Sequence, residues 1–209
     1  MAQEGIFLGF NLLIAMAATQ SGPKIVPTPA PAITIVVRDY AGLPATVLEE
    51  AEGVAAAIYH QIGIDLRWLH SRDLPFSLGA GRPDSCRSSV VLDLIPLALE
   101  KQTQPTFNAL GSAVPSASFA RVFVARVDAL AASHHMHERA RLLGHVVAHE
   151  VGHLLLGRNT HPLAGLMAAE LDVIQARQQS LTFSRQEVAA IHHSVRCGFN
   201  DVAASVGRP

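Results

Sequence analysis

The sequence predicts an α+β domain in which a sheet is laid down first and a long buried helix follows. Three patterns carry this. Ile33-Thr34-Ile35-Val36-Val37 is a β-branched run of strand type, residues 138–156 repeat apolar side chains at helical spacing, and Ser184-Arg185-Gln186-Glu187 opens a further helix with a capping-box pattern. A chain of 209 residues with 49% hydrophobic and 16% charged residues can bury one sizeable core. No internal repeat divides it. Lys and Arg number 16 against 17 Asp and Glu, a net charge of −1 that gives no sign of a nucleic-acid partner.

The elements follow in order. Gly5 to Ala18 is an apolar run and Ala15-Met16-Ala17 offers a small-residue cleavage pattern, so residues 1–22 read as a signal peptide, with secretion or periplasmic export expected. Glu4 precedes the run and no Lys or Arg does, which keeps an uncleaved membrane tether or a cytoplasmic extension as alternatives. The run is shorter than the about 20 residues of a membrane span. Residues 23–32, rich in proline, read as a stiff linker, residues 33–200 as the domain and residues 201–209 as a tail.

Within the domain, Pro44 to Gln61 carries Val47, Leu48, Ala51, Val54, Ala55 and Ile58 at helical spacing and ends near Gly63. Ile64 to Leu69 alternates as a half-buried second strand and Ser89 to Ile95 is a third, with glycine, proline and charge across residues 70–88 marking a surface loop. Ala109 to Val114 reads either as a short edge strand or as a plain loop. Arg121 to Val127 alternates as a further strand leading through Asp128-Ala129-Leu130 to the long helix. The helix opened at Ser184 continues through Val188, Ile191 and Val195.

On the long helix, Leu142, Leu143, Val146, Val147, Val151, Leu154 and Leu155 cover more than half of the wheel at about 100° per residue, so it is buried. That burial sharpens the meaning of His149-Glu150-Val151-Gly152-His153. Residues four apart stack on one helix face, so two imidazoles can grip one metal ion. Glu150 projects into the apolar arc, where an unpartnered carboxylate costs several kcal/mol and a neighbouring cation removes that cost. The alternative is a core helix whose histidines and glutamate are satisfied by backbone or arginine. Gly157 ends the helix, and Arg158-Asn159-Thr160 can return His161 to the pair. Three imidazoles leave the fourth position of a tetrahedral zinc ion open, as catalysis requires. One catalytic Zn2+ on His149, His153 and His161 is therefore expected.

The run His-Glu-Val-Gly-His-Leu-Leu-Leu-Gly, with His161, Gly165 and Met167 beyond it, resembles the zincin metallopeptidases, particularly the metzincin branch, over residues 146–167. Metzincins place a glycine three residues and a third histidine six residues after the second histidine. Here Gly157 stands four and His161 eight residues on, a metzincin-like variant with a longer return loop. The run is also similar to a group of small bacterial zincin-like proteins sharing the Leu-Leu-Leu-Gly run and the later glycine-apolar-methionine.

The resemblance implies a zincin-like fold: a mixed twisted sheet with a backing helix, the active-site helix, and a small helical C-terminal subdomain. It implies a peptide or protein substrate paired along an edge strand, here residues 109–114, and Met167 as an apolar floor beneath the histidines. A plain core methionine is the alternative for Met167. Another branch of the zincins uses a glutamate on a following helix as third ligand, which would make Glu170 or Asp172 the alternative to His161. The activity implied is peptide hydrolysis in which zinc acidifies a water, Glu150 takes the proton as general base and then passes it to the leaving amine. A zinc hydrolase of a non-peptide amide, and a zinc-binding protein without turnover, stay open. Some metzincins carry a tyrosine after the methionine; Ala168-Ala169 stand there, leaving Arg158 and Asn159 as oxyanion candidates by position only.

Other histidines and the cysteines read more plainly. His145, four residues before His149, is a solvent-side helix residue or, alternatively, a group behind the metal site or a substrate contact. His134-His135-Met136-His137 reads as a solvated turn in preference to a second metal site, and His192-His193 as a solvated helix end. Cys86 and Cys197 could pair if the protein is exported. Alternatively Cys86 caps the zinc, in a segment loosely similar to the switch of matrix metallopeptidases.

Overall fold

The computed structural model describes residues 30–73, 89–103, 108–134, 139–178 and 181–197. The N-terminal segment with its export and tether readings, most of the loop at 70–88 with Cys86, the stretch His135-Met136-His137, the side chain of Cys197 and the C-terminal tail lie outside the described residues. Among the described residues no helix is long and apolar enough to cross a membrane.

The sheet is built from β1 (Ala32–Asp39), β2 (Asp65–His70), β3 (Ser89–Ile95), β4 (Gly111–Val114) and β5 (Phe119–Phe123), in the order β2-β1-β3-β5-β4. The first four in that order run parallel, and β4 closes one edge antiparallel to β5. The mixed sheet is thus as expected, and residues 111–114 are an edge strand and not a plain loop. Parallel neighbours need a crossover, which α1 (Ala45–Gln61) supplies between β1 and β2. Alternation along β1 turns Ile33, Ile35 and Val37 to one face, where they join Val90, Leu92, Leu94, Ala120 and Val122 in a common core. On the opposite face the directly paired Arg38 and Asp93 form a bidentate ion pair, Nε to Oδ1 at 2.6 Å and Nη2 to Oδ2 at 3.0 Å.

The core face is covered by α1 and by α4 (Arg139–Leu156), which cross at Gly144. A β-carbon there would lie 2.6 Å from both Ala51 O and Val54 Cβ, so the glycine sets how closely the helices approach. Tyr59, fully buried on α1, donates its hydroxyl hydrogen to Ala148 O at 3.0 Å and ties the same pair together. The hydrophobic wheel expected for α4 holds: its described residues are buried almost throughout.

The sequence reading is corrected in places. The strand expected over Arg121–Val127 stops at Phe123, because Val124 opens α3 (Val124–Ser133). Val124, Val127 and Ala131 are buried at the helical spacings of three and four, while Val122 and Val124 alternate as a strand would, and such an overlap is ambiguous by pattern alone. Two short helices, α2 (Leu97–Thr103) and α5 (Val173–Arg177), were not expected. The capping box is present at α6 (Arg185–Cys197): Ser184 N donates to Glu187 Oε2 at 2.7 Å, and Glu187 N donates to Ser184 Oγ at 3.3 Å. This helix packs on α4, with Ile191 fully buried.

Candidate metal centre

His149 and His153 stand one turn apart on α4, and Gly157, with φ +66°, turns the chain out of the helix so that His161 comes back to them. The Nε2 of His153 lies 2.9 Å from that of His149 and 3.0 Å from that of His161. The rings of His149 and His161 are nearly parallel, 15° apart with centroids at 5.4 Å, and both stand edge-on to His153. Among the described residues these three form the group able to hold a metal ion, their ligand atoms all within 4.8 Å of one another.

The far nitrogens explain which atoms face inward. His149 Nδ1 donates to Leu166 O at 2.7 Å, and His153 Nδ1 donates to Arg158 O at 2.9 Å. A carbonyl can only accept, so both Nδ1 atoms carry the hydrogen and both Nε2 atoms present lone pairs. Burial holds both imidazoles below the usual histidine range, His153 down to about 4 with the neighbouring His149 adding to the effect, so they are neutral at pH 7. Two lone pairs facing each other at 2.9 Å cannot hydrogen-bond to each other; a cation between them resolves the contact. The donor set, nitrogens on a ring-shaped cluster, suits zinc.

Glu150 supplies a second observation pointing the same way. It is 5% exposed, its Oε2 is buried without a hydrogen-bond partner, and burial raises its carboxyl to about 8. It points at the edge strand: a β-carbon on Gly111 would lie 2.5 Å from Glu150 Oε1 and 2.7 Å from its Cδ. Such an orphaned carboxylate is costly in a dry core and is relieved by an adjacent cation.

The segment after His161 braces the cluster from below. Gly165 (φ +90°) to Ala168 form a tight turn, Ala168 N donating to Gly165 O, and Leu166 N is anchored on Thr182 O at 3.0 Å. Leu166 can therefore hold its own carbonyl under His149. Met167 is fully buried, and its Sδ would be 2.6 Å from a β-carbon on Gly152, which places the thioether against α4.

The remaining sequence candidates fall away from the cluster. The Asp172 carboxylate accepts from Ile174 N at 2.9 Å and Gln175 N at 3.0 Å as the cap of α5, and Glu170 is exposed beside a cleft of about 370 Å³, so neither carboxylate joins the three histidines. His145 is a correction: far from facing solvent it is 1% exposed, with Nδ1 on Arg141 O at 2.8 Å, because α4 is covered on nearly all sides. His192 is half-buried and donates from Nε2 to Ile62 O at 2.6 Å, so it is not simply solvated; His193 and His134 are exposed. Arg158 offers its backbone carbonyl to His153, and Asn159 turns its amide to Ala113 O at 3.2 Å.

Gly111, whose lack of a side chain makes room for Glu150, was missed by sequence reasoning. So was the Leu166 carbonyl. Both partners are distant in the chain, and no local pattern marks them.

The fold is of the zincin-like α+β class, a mixed five-stranded sheet backed by helices. It is similar to archaemetzincin from Methanopyrus kandleri, with a TM-score of 0.50 and 14% identity over 82% of this chain and 99% of that one. A zinc-dependent peptidase from Methanocorpusculum labreanum aligns at 15% identity with a TM-score of 0.48, over 75% of this chain and 99% of that one. No protein-family model matches the sequence, and no curated protein matches it. At such identities the likeness is one of fold.

Proposed function

We propose that the protein is a zinc-dependent metallopeptidase in which His149, His153 and His161 hold the ion and Glu150 moves the proton. The single observation that carries this is the convergence of three imidazole nitrogens beside an unpartnered, buried carboxylate under the free edge of β4. When bound, zinc supplies Lewis-acid chemistry, acidifying water and polarising a carbonyl.

The chain's own groups do the rest. Burial alone raises Glu150 to about 8, and a cation held by the adjacent histidines would favour its ionised form, the form suited to accept a proton from water and return it to a leaving amine. The free edge of β4 is suited to orient an extended peptide. Phe123 N donates to Leu110 O at 2.8 Å, and bonded pairs alternate along an antiparallel ladder, so Gly111 turns its N–H and C=O outward and Ala113 its N–H, the Ala113 carbonyl being taken by Asn159. Gly111 stands directly over Glu150, so a peptide laid there runs past the proton-transfer group. Met167, packed beside Gly152, serves in this reading as the apolar floor.

The test is zinc stoichiometry together with cleavage of a mixed peptide library by the wild type, Glu150→Gln and His161→Ala. Glu150→Gln is expected to keep zinc and lose about 10²- to 10⁴-fold in turnover. His161→Ala is expected to bind zinc more weakly. Retained cleavage in Glu150→Gln refutes the assigned base.

A further inference from the structure

We infer that Asn159 is a positioning residue for the third histidine: its side-chain amide latches the return loop to β4 and so sets how His161 meets the metal. The inference rests on the metal reading proposed above.

The three ligands are not held alike. His149 and His153 belong to a helix buried almost throughout, and each is locked from behind by a carbonyl. His161 is exposed and lies in an irregular segment with no helical ladder to fix it. Among the described residues, two ties bind the loop that carries it. One is Arg158 O, which receives the N–H of His153. The other is Asn159 Nδ2, which donates to Ala113 O at 3.2 Å across 46 residues of chain.

Ala113 is suited to the task because its carbonyl faces outward from β4 and is not used in pairing with β5, while β5 holds the strand itself in place. Asn159 precedes His161 by two residues, so the Cα that carries the latch lies within about 7 Å of the ligand's Cα. Without it, the freedom of residues 159–161 has to be lost when the metal binds, and metal affinity falls by that amount.

The experiment measures zinc affinity by chelator competition, and the visible spectrum of the cobalt-substituted protein, in full-length wild type, Asn159→Ala, Asn159→Asp, Thr160→Ala and His161→Ala. Asp has the shape of Asn but cannot donate to a carbonyl when ionised, and its charge attracts a cation, so weaker binding in that variant speaks for the lost latch. Both Asn159 variants are expected to bind zinc about tenfold more weakly and to shift the cobalt spectrum toward that of His161→Ala. Thr160→Ala keeps wild-type values, and the melting temperature of the metal-free protein is unchanged in all. Wild-type affinity and spectrum in both Asn159 variants, with binding lost in His161→Ala, overturns the latch alone. Wild-type affinity in His161→Ala overturns the metal reading and the latch with it.

Discussion

Gly111 and Glu150 face each other across the junction of β4 and α4 so closely that no side chain fits between them. A β-carbon on Gly111 meets Glu150 Oε1 at 2.5 Å and the backbone oxygen of Arg121 at 2.7 Å. The backbone of β5 cannot retreat, so the carboxylate has to. Gly111→Ala is expected to keep zinc affinity, since no histidine is touched, and to lower kcat/KM for peptides about 10²-fold by moving the proton-transfer group. Steady-state kinetics beside a chelator titration check both halves. Undiminished kcat/KM would falsify the assignment of that contact to catalysis.

Gly144 and Gly152, on the same helix, are expected to respond differently to alanine. At Gly144 the obstacle is the Ala51 carbonyl and Val54 Cβ, both at 2.6 Å, so the two longest helices must separate. At Gly152 it is Met167 Sδ at 2.6 Å, the flexible end of a side chain. Gly144→Ala should cost about 3 kcal/mol of stability and Gly152→Ala about 1 kcal/mol, by urea denaturation of the metal-free protein. Equal costs would contradict this account of the α1–α4 contact.

Glu52, on α1, sets a pH dependence of stability. Burial, opposed by the charge of Arg72 and reinforced by that of Glu49, raises its carboxyl from 4.5 to about 7. Its Oε1 has no hydrogen-bond partner, although His70 Nε2 stands 3.4 Å away. Between those two values the folded chain keeps the proton that the unfolded chain has lost, so this group makes stability fall as pH rises from 4.5 to 7 and level off above. Glu52→Gln should match the wild type near pH 4.5 and exceed it at pH 8 by on the order of 2 kcal/mol. A stability difference that does not change with pH would remove Glu52 from the titration.

Much of this architecture can be read locally. The β-branched run of β1, the wheel of α4 and the capping box of α6 are each written within a few residues, where backbone sterics and short-range hydrogen bonds decide the outcome. Position 161 is legible for a similar reason: a helix, a glycine stop and a short polar loop limit where the next histidine can go. Where α3 begins is not legible, because Val122 and Val124 alternate as in a strand while Val124, Val127 and Ala131 follow helical spacing, and the two patterns overlap at Val124.

His145 marks the division most clearly. By pattern it is a polar residue suited to the outside of a helix, yet α4 is enclosed by the sheet and by α1, α3, α5 and α6, and the imidazole is 1% exposed. The chain alone determined which side chains stack on that helix and which nitrogens recur every turn. Only the tertiary structure decided that β4 passes over Glu150, that the Leu166 carbonyl fixes His149 and that Asn159 reaches Ala113. The reason is physical: periodicity is a property of one segment, whereas a contact between residues 39 or 46 apart, as for Gly111 with Glu150 or Ala113 with Asn159, exists only once the intervening chain has packed.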